Sequence, residues 1–571
     1  MDNLHIDPDG TASVAPIPIR TMNVTFSGQT CRTSPPTWGQ IGMWLMHKRL
    51  VSRTETLNLQ LRINFPETLT PEDIVRGVIS LLCRHEALRT TFHDTEDGRL
   101  RTVTLAEGKL AVRIYKATDQ STEASMEAAL AAERQHFFDL RNQVPLRLAL
   151  IGLPAGVYCA SLVLPHTAAD GFSAGVLKRD LQDILESKED VEADQQQQAA
   201  HAALLQPFEI AANEQSEAGQ AESERSLRYW RKTLAHSPRT VFPWGRGING
   251  SKPEIQVVLK SRAVVLAACE LASRYEVRMP SVGLAAISSV LGAISEDSRV
   301  MYQVTCSNRG FGPIQNSVGC IAQGGLFFVD TGTRAFSQLV TRASRAELMA
   351  YSSARYDSVL RNTVVDEVGL HRGVRFDLHT IVSDQLFAER RLAAPQGPYS
   401  PASMEEALRA TRIECRASDF VASERFLLHM EYRNGEAHLT ARADPETFTE
   451  HIVSDLLQGI ESVLVGACRE DKSPYELARK AGVRPPVKKR PQWVHTDTGW
   501  VDLSSVSELV ERTGLAKVLS VQHSHEDGVV AHLEPKGAGI DEQELHRQVM
   551  SLLPDRPSAV APARYVVEAL N

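Results

Sequence analysis

Between Thr56 and Phe65 the chain reads TLNLQLRINF, with polar and apolar residues in strict alternation. That is the period of a strand with one face buried. A few residues on, TPEDIVRGVISLLCRHEALRTTF switches to helical spacing and opens with Thr-Pro-Glu-Asp. A capping threonine, a first-turn proline and two early acids predict a helix that ends near His85. The same change of period recurs on either side. TWGQIGMWLMHKRL predicts a helix, LRTTFHD and RLRTVTL paired strands around a turn, and SMEAALAAERQHFFDL a helix. LRLALIGL and GVYCASLVLPH predict strands, and SAGVLKRDLQDILESKED a helix.

A second αβ succession follows residue 200. It runs through the ERSLRYWRKTLA helix, the EIQVVLK strand, the AVVLAACELASRY helix, a helix opened by Pro280 and the SRVMYQVTCSNRG strand. GGLFFVDT and VRFDLHTIVS add strands, RFLLHMEYRNGEAHLTARAD a hairpin about Asn434-Gly435, and ETFTEHIVSDLLQGIESVL a closing helix. Residues 187–224, rich in Gln, Glu and Ala, read as a solvated helix-and-linker segment. The pattern divides the chain into an N-terminal extension (1–35) with one β-like piece, a first lobe (36–200) and a second lobe (201–470). A basic, proline-rich linker (471–498) then leads to a small α/β domain (499–571).

Composition narrows this picture. A chain of 571 residues is too long for one core. The net charge of −8 speaks against nucleic acid as the main partner. Eight cysteines stand singly with no CxxC pair, so neither a zinc site nor a disulfide framework is expected. The N-terminus lacks the apolar core of a signal peptide. The most apolar helical stretch, PSVGLAAISSVLGAI, is shorter than the ~20 residues of a membrane span. No membrane partner, no tightly bound cofactor, no metal and a cytoplasmic location are expected.

The candidate chemistry lies in SLVLPHTAADGFSAG, Ser161 to Gly175, where a strand should end and a helix begin. Reactive side chains are commonly displayed at such junctions. On spacing alone, His166 ahead of Asp170-Gly171 fits a catalytic histidine and a polar residue of a structural turn equally well. RHEALRTTF ahead of PHTAADG resembles the condensation domains of nonribosomal peptide synthetases. SPPTWGQIGMW is similar to that family's opening motif, LRYWRKTLA to its second-lobe helix, and PSVGLAAISSVLGAISEDSRVMYQVTCSNR to its helix–strand–Asn-Arg segment. NSVGCIAQGGLFFVDT resembles its crossing strand and EYRNGEAHLTARADPETF its terminal hairpin and helix. The resemblance covers roughly residues 35–470.

It implies an α/β fold of two chloramphenicol-acetyltransferase-like lobes in a V, and an acyltransferase acting on a thioester carried by phosphopantetheine of a carrier protein. The second histidine of the family's His-His-x-x-x-Asp-Gly maps to His166, as a base or as the group that holds the amine. Asp170 maps to the aspartate that shapes the loop through an arginine, with Arg84 or Arg309 as its partner. Arg89 also matches a family arginine, and the Gly171 N–H is placed to support an oxyanion. Pro165 stands where the family has its first histidine, a departure that keeps a catalytically silent, protein-recruiting role open. Epimerisation is a third alternative. The tail resembles the small C-terminal subdomain of adenylation enzymes, yet it carries neither their Gly-Lys motif nor a phosphate loop, so adenylation is not expected. The expectation is a freestanding, monomeric condensation enzyme that joins a carrier-bound acyl, aminoacyl or peptidyl group to an amine or hydroxyl, the acceptor being a small molecule or itself carrier-bound.

Overall fold

In the computed structural model the described residues are 5–6, 12–13 and 18–568, apart from 29, 51–53, 67, 97, 117–121, 153–157, 187–203, 249–251, 311, 387–399, 419, 490 and 537–540. The chain forms two compact units. One comprises Met1–Glu222, Ser307–Gln323 and Asp357–Val359, the other Ser223–Cys306, Gly324–Tyr356 and Leu360–Asn571.

The first unit is built on a five-stranded sheet ordered Arg20–Ser27, Glu107–Lys116, Arg147–Gly152, Tyr158–Pro165 and Asn58–Phe65. The alternating stretch at 58–65 is antiparallel to Tyr158–Pro165 in unbroken register, from Phe65 opposite Tyr158 to Asn58 opposite Pro165. Alternation delivers Ile63, Leu162 and Leu164 to one core with Leu81 and Leu82 of helix Pro71–Arg84 and Leu177 and Leu181 of helix Gly171–Glu186. Helix Pro71–Arg84 starts as its sequence dictates. Thr70 accepts from the Asp73 amide and the Asp73 side chain returns a bond to the Thr70 amide, with Pro71 as the first helical residue. Leu100–Thr104 pairs with both Arg32–Ser34 and Thr90–Asp94 in a small second sheet.

The second unit carries a seven-stranded mixed sheet ordered Gln323–Asp330, Arg299–Cys306, Thr380–Asp384, Phe426–Arg433, Glu436–Ala443, Ile255–Ser261 and Arg412–Arg416. The hairpin turns at Asn434 and Gly435, whose φ angles of 52° and 87° suit a type I′ turn. Helices Arg262–Arg274 and Met279–Ser295 are bent 112° to each other and supply much of this core. Among the described residues, no single helix is long and apolar enough to cross a membrane.

Several boundaries differ from those read off the sequence. Strands Arg20–Ser27 and Arg32–Ser34 belong to the first unit's sheets, so much of 1–35 is structural. The first unit reaches Glu222 and takes back 307–323, which sequence order alone cannot reveal. Of the polar stretch 187–224, residues 187–203 lie outside the described residues, whereas Pro207–Gln215 is a helix with Ile210, Ala211 and Glu214 buried. The segment 471–498 holds a capped helix, Pro474–Lys480, whose Leu477 and Ala478 are buried, and a strand, Trp493–Thr496. Proline and lysine there mark a helix start and an exposed face rather than a free tether. The tail forms two hairpins, two helices and the final strand Arg564–Val567, and shares its core with Val374. Arg239, fully buried, anchors it by donating to the carbonyls of Thr498, Trp500 and Pro557.

Candidate active site

His166 follows the last residue of strand Tyr158–Pro165 within the first unit. Its N–H donates to the Leu57 carbonyl at 3.0 Å, and the Ala168 N–H closes a turn onto the Pro165 carbonyl at 2.9 Å. Thr167, Ala168, Ala169 and Asp170 are buried, and His166 is only partly so. Asp170 stands at the N-cap of helix Gly171–Glu186, its Oδ1 accepting from the Ser173 N–H at 2.9 Å. An aspartate is therefore demanded here by the helix start as well as by what lies across from it.

Across from it runs the return segment 307–323. Asp170 Oδ2 accepts from Arg309 Nη1 at 2.8 Å and from the amides of Ile321 and Ala322 at 3.0 and 2.9 Å. Ser173 Oγ lies 2.9 Å from Asp170 Oδ1 and 3.0 Å from the Gly319 carbonyl, and accepts from Arg309 Nη2 and the Gly319 N–H. Arg309 also donates to the carbonyls of Ser317, Ser307 and Gly319. The result is a fully buried ion pair with every carboxylate oxygen engaged. That is the condition under which burying two charges is tolerable.

Of the two arginines proposed as its partner, Arg309 pairs with Asp170 and Arg84 does not. Arg84 Nε lies 3.4 Å from Asp180 Oδ2, the oxygen that the buried His85 Nε2 meets at 2.9 Å. RHEALRT is therefore a brace: His85 and Arg84 fix Asp180, on the same helix that starts at Gly171. Arg89, also buried, donates to the carbonyls of Thr30 and Leu105 and to Thr30 Oγ1, tying the N-terminal segment to the Thr90–Asp94 hairpin. Gly171 is exposed at the first position of its helix.

Sequence reasoning passed over the residues that close the far side. Thr37 Oγ1 donates to the Cys320 carbonyl at 2.9 Å, Gln40 Nε2 to the Thr167 carbonyl at 3.5 Å, and the Trp38 amide to Glu214 Oε2 at 2.7 Å. Gly39 lets helix Trp38–Leu50 approach, because a Cβ there would run into the Cys320 carbonyl. The TWGQ motif quoted for the resemblance was the available signal.

Burial lowers the pKa of His166, opposed by the charge of Asp170 and by a hydrogen bond to its own carbonyl, so the imidazole is neutral at neutral pH. Burial alone would raise Asp170, but the Arg309 charge and the Ala322 and Ile321 amides outweigh it and hold the carboxyl below its ordinary value. The buried Cys320 thiol is pushed up well above the usual range, chiefly by desolvation. Among the described residues, no group of three or more His, Cys, Asp or Glu is arranged to hold a metal ion. The arrangement supplies a neutral, partly exposed imidazole on a rigid base, a group of the kind that serves as a general base.

Comparison with known proteins gives the same direction. A probable non-canonical nonribosomal peptide synthetase of Salinispora arenicola is 31% identical over 147 residues, 26% of this chain and 2% of its own length. Malpibaldin synthetase of Mortierella alpina is 26% identical over 272 residues, 46% of this chain and 5% of its own. The chain thus spans only a few per cent of these relatives' length. Among solved structures, the starter condensation domain of rhizomide synthetase matches with a TM-score of 0.60 at 16% identity, covering 78% of this chain and 96% of that one. The first condensation domain of the calcium-dependent antibiotic synthetase matches with 0.60 at 16%, covering 78% and 98%. The fold is therefore the chloramphenicol-acetyltransferase-like α/β fold of those domains. The family model described as Condensation domain matches residues 32–368, and the chain belongs to that family of nonribosomal peptide synthesis.

Proposed function

We propose that this protein is an acyltransferase that joins a carrier-bound acyl, aminoacyl or peptidyl thioester to an amine, or to a hydroxyl, in natural-product biosynthesis. The observation that carries this reading is the neutral, partly exposed His166 set on the saturated Asp170–Arg309–Ser173 node. Thioester aminolysis is downhill, so positioning is the larger part of catalysis. An α-amine of pKa near 8 is about one fifth neutral at pH 7.4. His166 takes the proton of the remaining ammonium, or of the zwitterionic intermediate, and is worth about 10²–10⁴-fold. The Gly171 N–H, at the open first turn of its helix, faces the developing oxyanion. No cofactor is held by this chain in the reading: the phosphopantetheine arm belongs to the partner carrier protein.

The test is product formation from loaded carriers and an amine acceptor, with His166→Ala beside the wild type. Equal product from both removes the assignment of His166. Pro165 at the position of the family's first histidine favours a second reading, a silent relative that recruits carrier or tailoring proteins. Carrier binding with no turnover for any acceptor supports that reading, and turnover rejects it.

A further inference from the structure

Beside His166 lies a group that neither the spacing nor the proposed chemistry assigns a role. Cys320 Sγ is 3.9 Å from His166 Nδ1, and Cys320 itself is buried. The thiol is held there by everything around it. Its carbonyl accepts from Thr37 Oγ1. The next two amides, Ile321 and Ala322, are bound by Asp170, and the preceding Gly319 is bound at both its N–H and its carbonyl by Ser173 and Arg309. Gly39 leaves no room for retreat towards helix Trp38–Leu50. The ion pair next to the histidine thus clamps the backbone on both sides of one cysteine, with its side chain against the ring.

We infer that Cys320 is a positioning residue for His166, a dry, neutral wall along the Nδ1 edge that leaves Nε2 as the basic nitrogen. A ring nitrogen hydrogen-bonds the histidine's own carbonyl, and Nδ1 is the nitrogen within reach of it. A proton held on Nδ1 puts the lone pair on Nε2. Cys320 keeps water from Nδ1 and stops the ring from turning over, which would exchange the two nitrogens. A carboxylate would charge the ring, whereas a thiol that stays protonated leaves it neutral and bonds it only weakly. Among the described residues, Asp170 on its own loop is the charge that acts on the ring, and Asp170 and Arg309 of the return segment act on the Cys320 thiol 3.9 Å from it. Glu214 acts on the Cys320 thiol. This inference rests on the acyltransferase reading for its consequence, but its test does not.

The test is nitrogen-15 NMR of histidine-labelled full-length protein across pH, with the His166 signal identified by its loss in His166→Asn. In the wild type, His166 is in the Nδ1-protonated form and titrates below the ordinary histidine value. In Cys320→Ala the two tautomers mix and the titration moves up, while Cys320→Ser, which keeps most of the volume, retains the wild-type tautomer. With loaded carriers, Cys320→Ala lowers kcat by about tenfold, a part of the general-base contribution, and leaves KM within about twofold. A Cys320→Ala protein with the wild-type tautomer and titration overturns the inference. Wild-type protein without turnover overturns the acyltransferase reading while the NMR result stands by itself, so the two failures are separable.

Discussion

Replacing Arg309 with methionine keeps the unbranched apolar stem of the side chain and deletes the charge that faces Asp170. The carboxylate would still receive the Ser173 N–H and hydroxyl and the amides of Ile321 and Ala322. Orphaning one member of a buried ion pair costs about 3–5 kcal/mol. With four donors left, the lower end applies, about 3 kcal/mol. At roughly 2–4 °C per kcal/mol for a unit of 150–250 residues, the first thermal transition falls by roughly 6–12 °C near pH 7.5. The pH dependence identifies the cause. In the wild type Asp170 titrates below its unfolded value, so its stabilisation is complete above about pH 4 and is lost only as pH falls through the lower folded value. In the variant, burial without the guanidinium raises the carboxyl above its unfolded value. Protonation then relieves the buried charge, and the gap between the two proteins narrows as pH falls from neutral towards 4.5. Scanning calorimetry of both proteins at the two pH values decides it. A gap that is the same at both, or under about 1 kcal/mol at pH 7.5, refutes the ion-pair argument.

Other substitutions have separate signatures. His166→Ala lowers kcat/KM by about 10²–10⁴ with melting within about 1 °C of the wild type, read by single-turnover product formation and calorimetry. Because burial lowers the His166 pKa, the acid limb of the wild-type kcat/KM profile with a hydroxyl acceptor, which does not itself titrate in this range, falls below about pH 6.5, and a limb above that value contradicts the neutral imidazole. Gly39→Ala forces helix Trp38–Leu50 away from the Cys320 carbonyl, with a loss of about 1–3 kcal/mol and of turnover, measured by denaturant unfolding and by product formation. Arg239→Met leaves the carbonyls of Trp500 and Pro557 without their donor, and that of Thr498 with only the backbone N–H of residue 239. It opens residues 493–502 to limited proteolysis that the wild type resists.

The parts of the molecule legible in the sequence are those set by local periodicity and capping. Asn58–Phe65 and Tyr158–Pro165 alternate or run apolar as their burial requires, and Thr70-Pro71-Glu72-Asp73 writes a helix start whose cap bonds all form. In strand Glu107–Lys116, LAVRIY alternates, but local pattern does not give its place between Arg20–Ser27 and Arg147–Gly152. Helices Phe336–Ser352 and Ser358–Arg372 were missed because their exposed faces carry leucine, methionine and valine that blur the stripe: Leu348, Met349, Val359, Leu360 and Leu370 are all exposed. Of the candidate site, His166, Asp170 and Gly171 stand together in the sequence because one loop carries them. The choice between Arg84 and Arg309 is not legible there, since it depends on where 307–323 returns in space. Cys320, Gln40 and Thr37 have no chemistry of their own to draw notice and act only through contacts across the chain.

Residue 165 is a proline where the resemblance to the family implies a histidine, and the geometry around it bears on what that departure means. Pro165 ends its strand opposite Asn58, at a position where the chain leaves the sheet, so a missing N–H interrupts no further pairing. Its carbonyl still closes the turn that turns the chain toward Asp170. His166 is fixed by its own amide on Leu57, by the Asp170 N-cap and by the clamp on Gly319 to Ala322. The side chain of residue 165 is a member of none of these bonds. If the family's first histidine were the support of the second, its loss here should have left an unfilled place in the network around Asp170. Instead each carboxylate oxygen there is occupied, and the segment that fills it is the one that brings Cys320 to the ring. The bonds that fix His166 thus run through the backbone of residue 165 and not through its side chain, so the proline at that position is by itself no argument against the proposed acyltransferase.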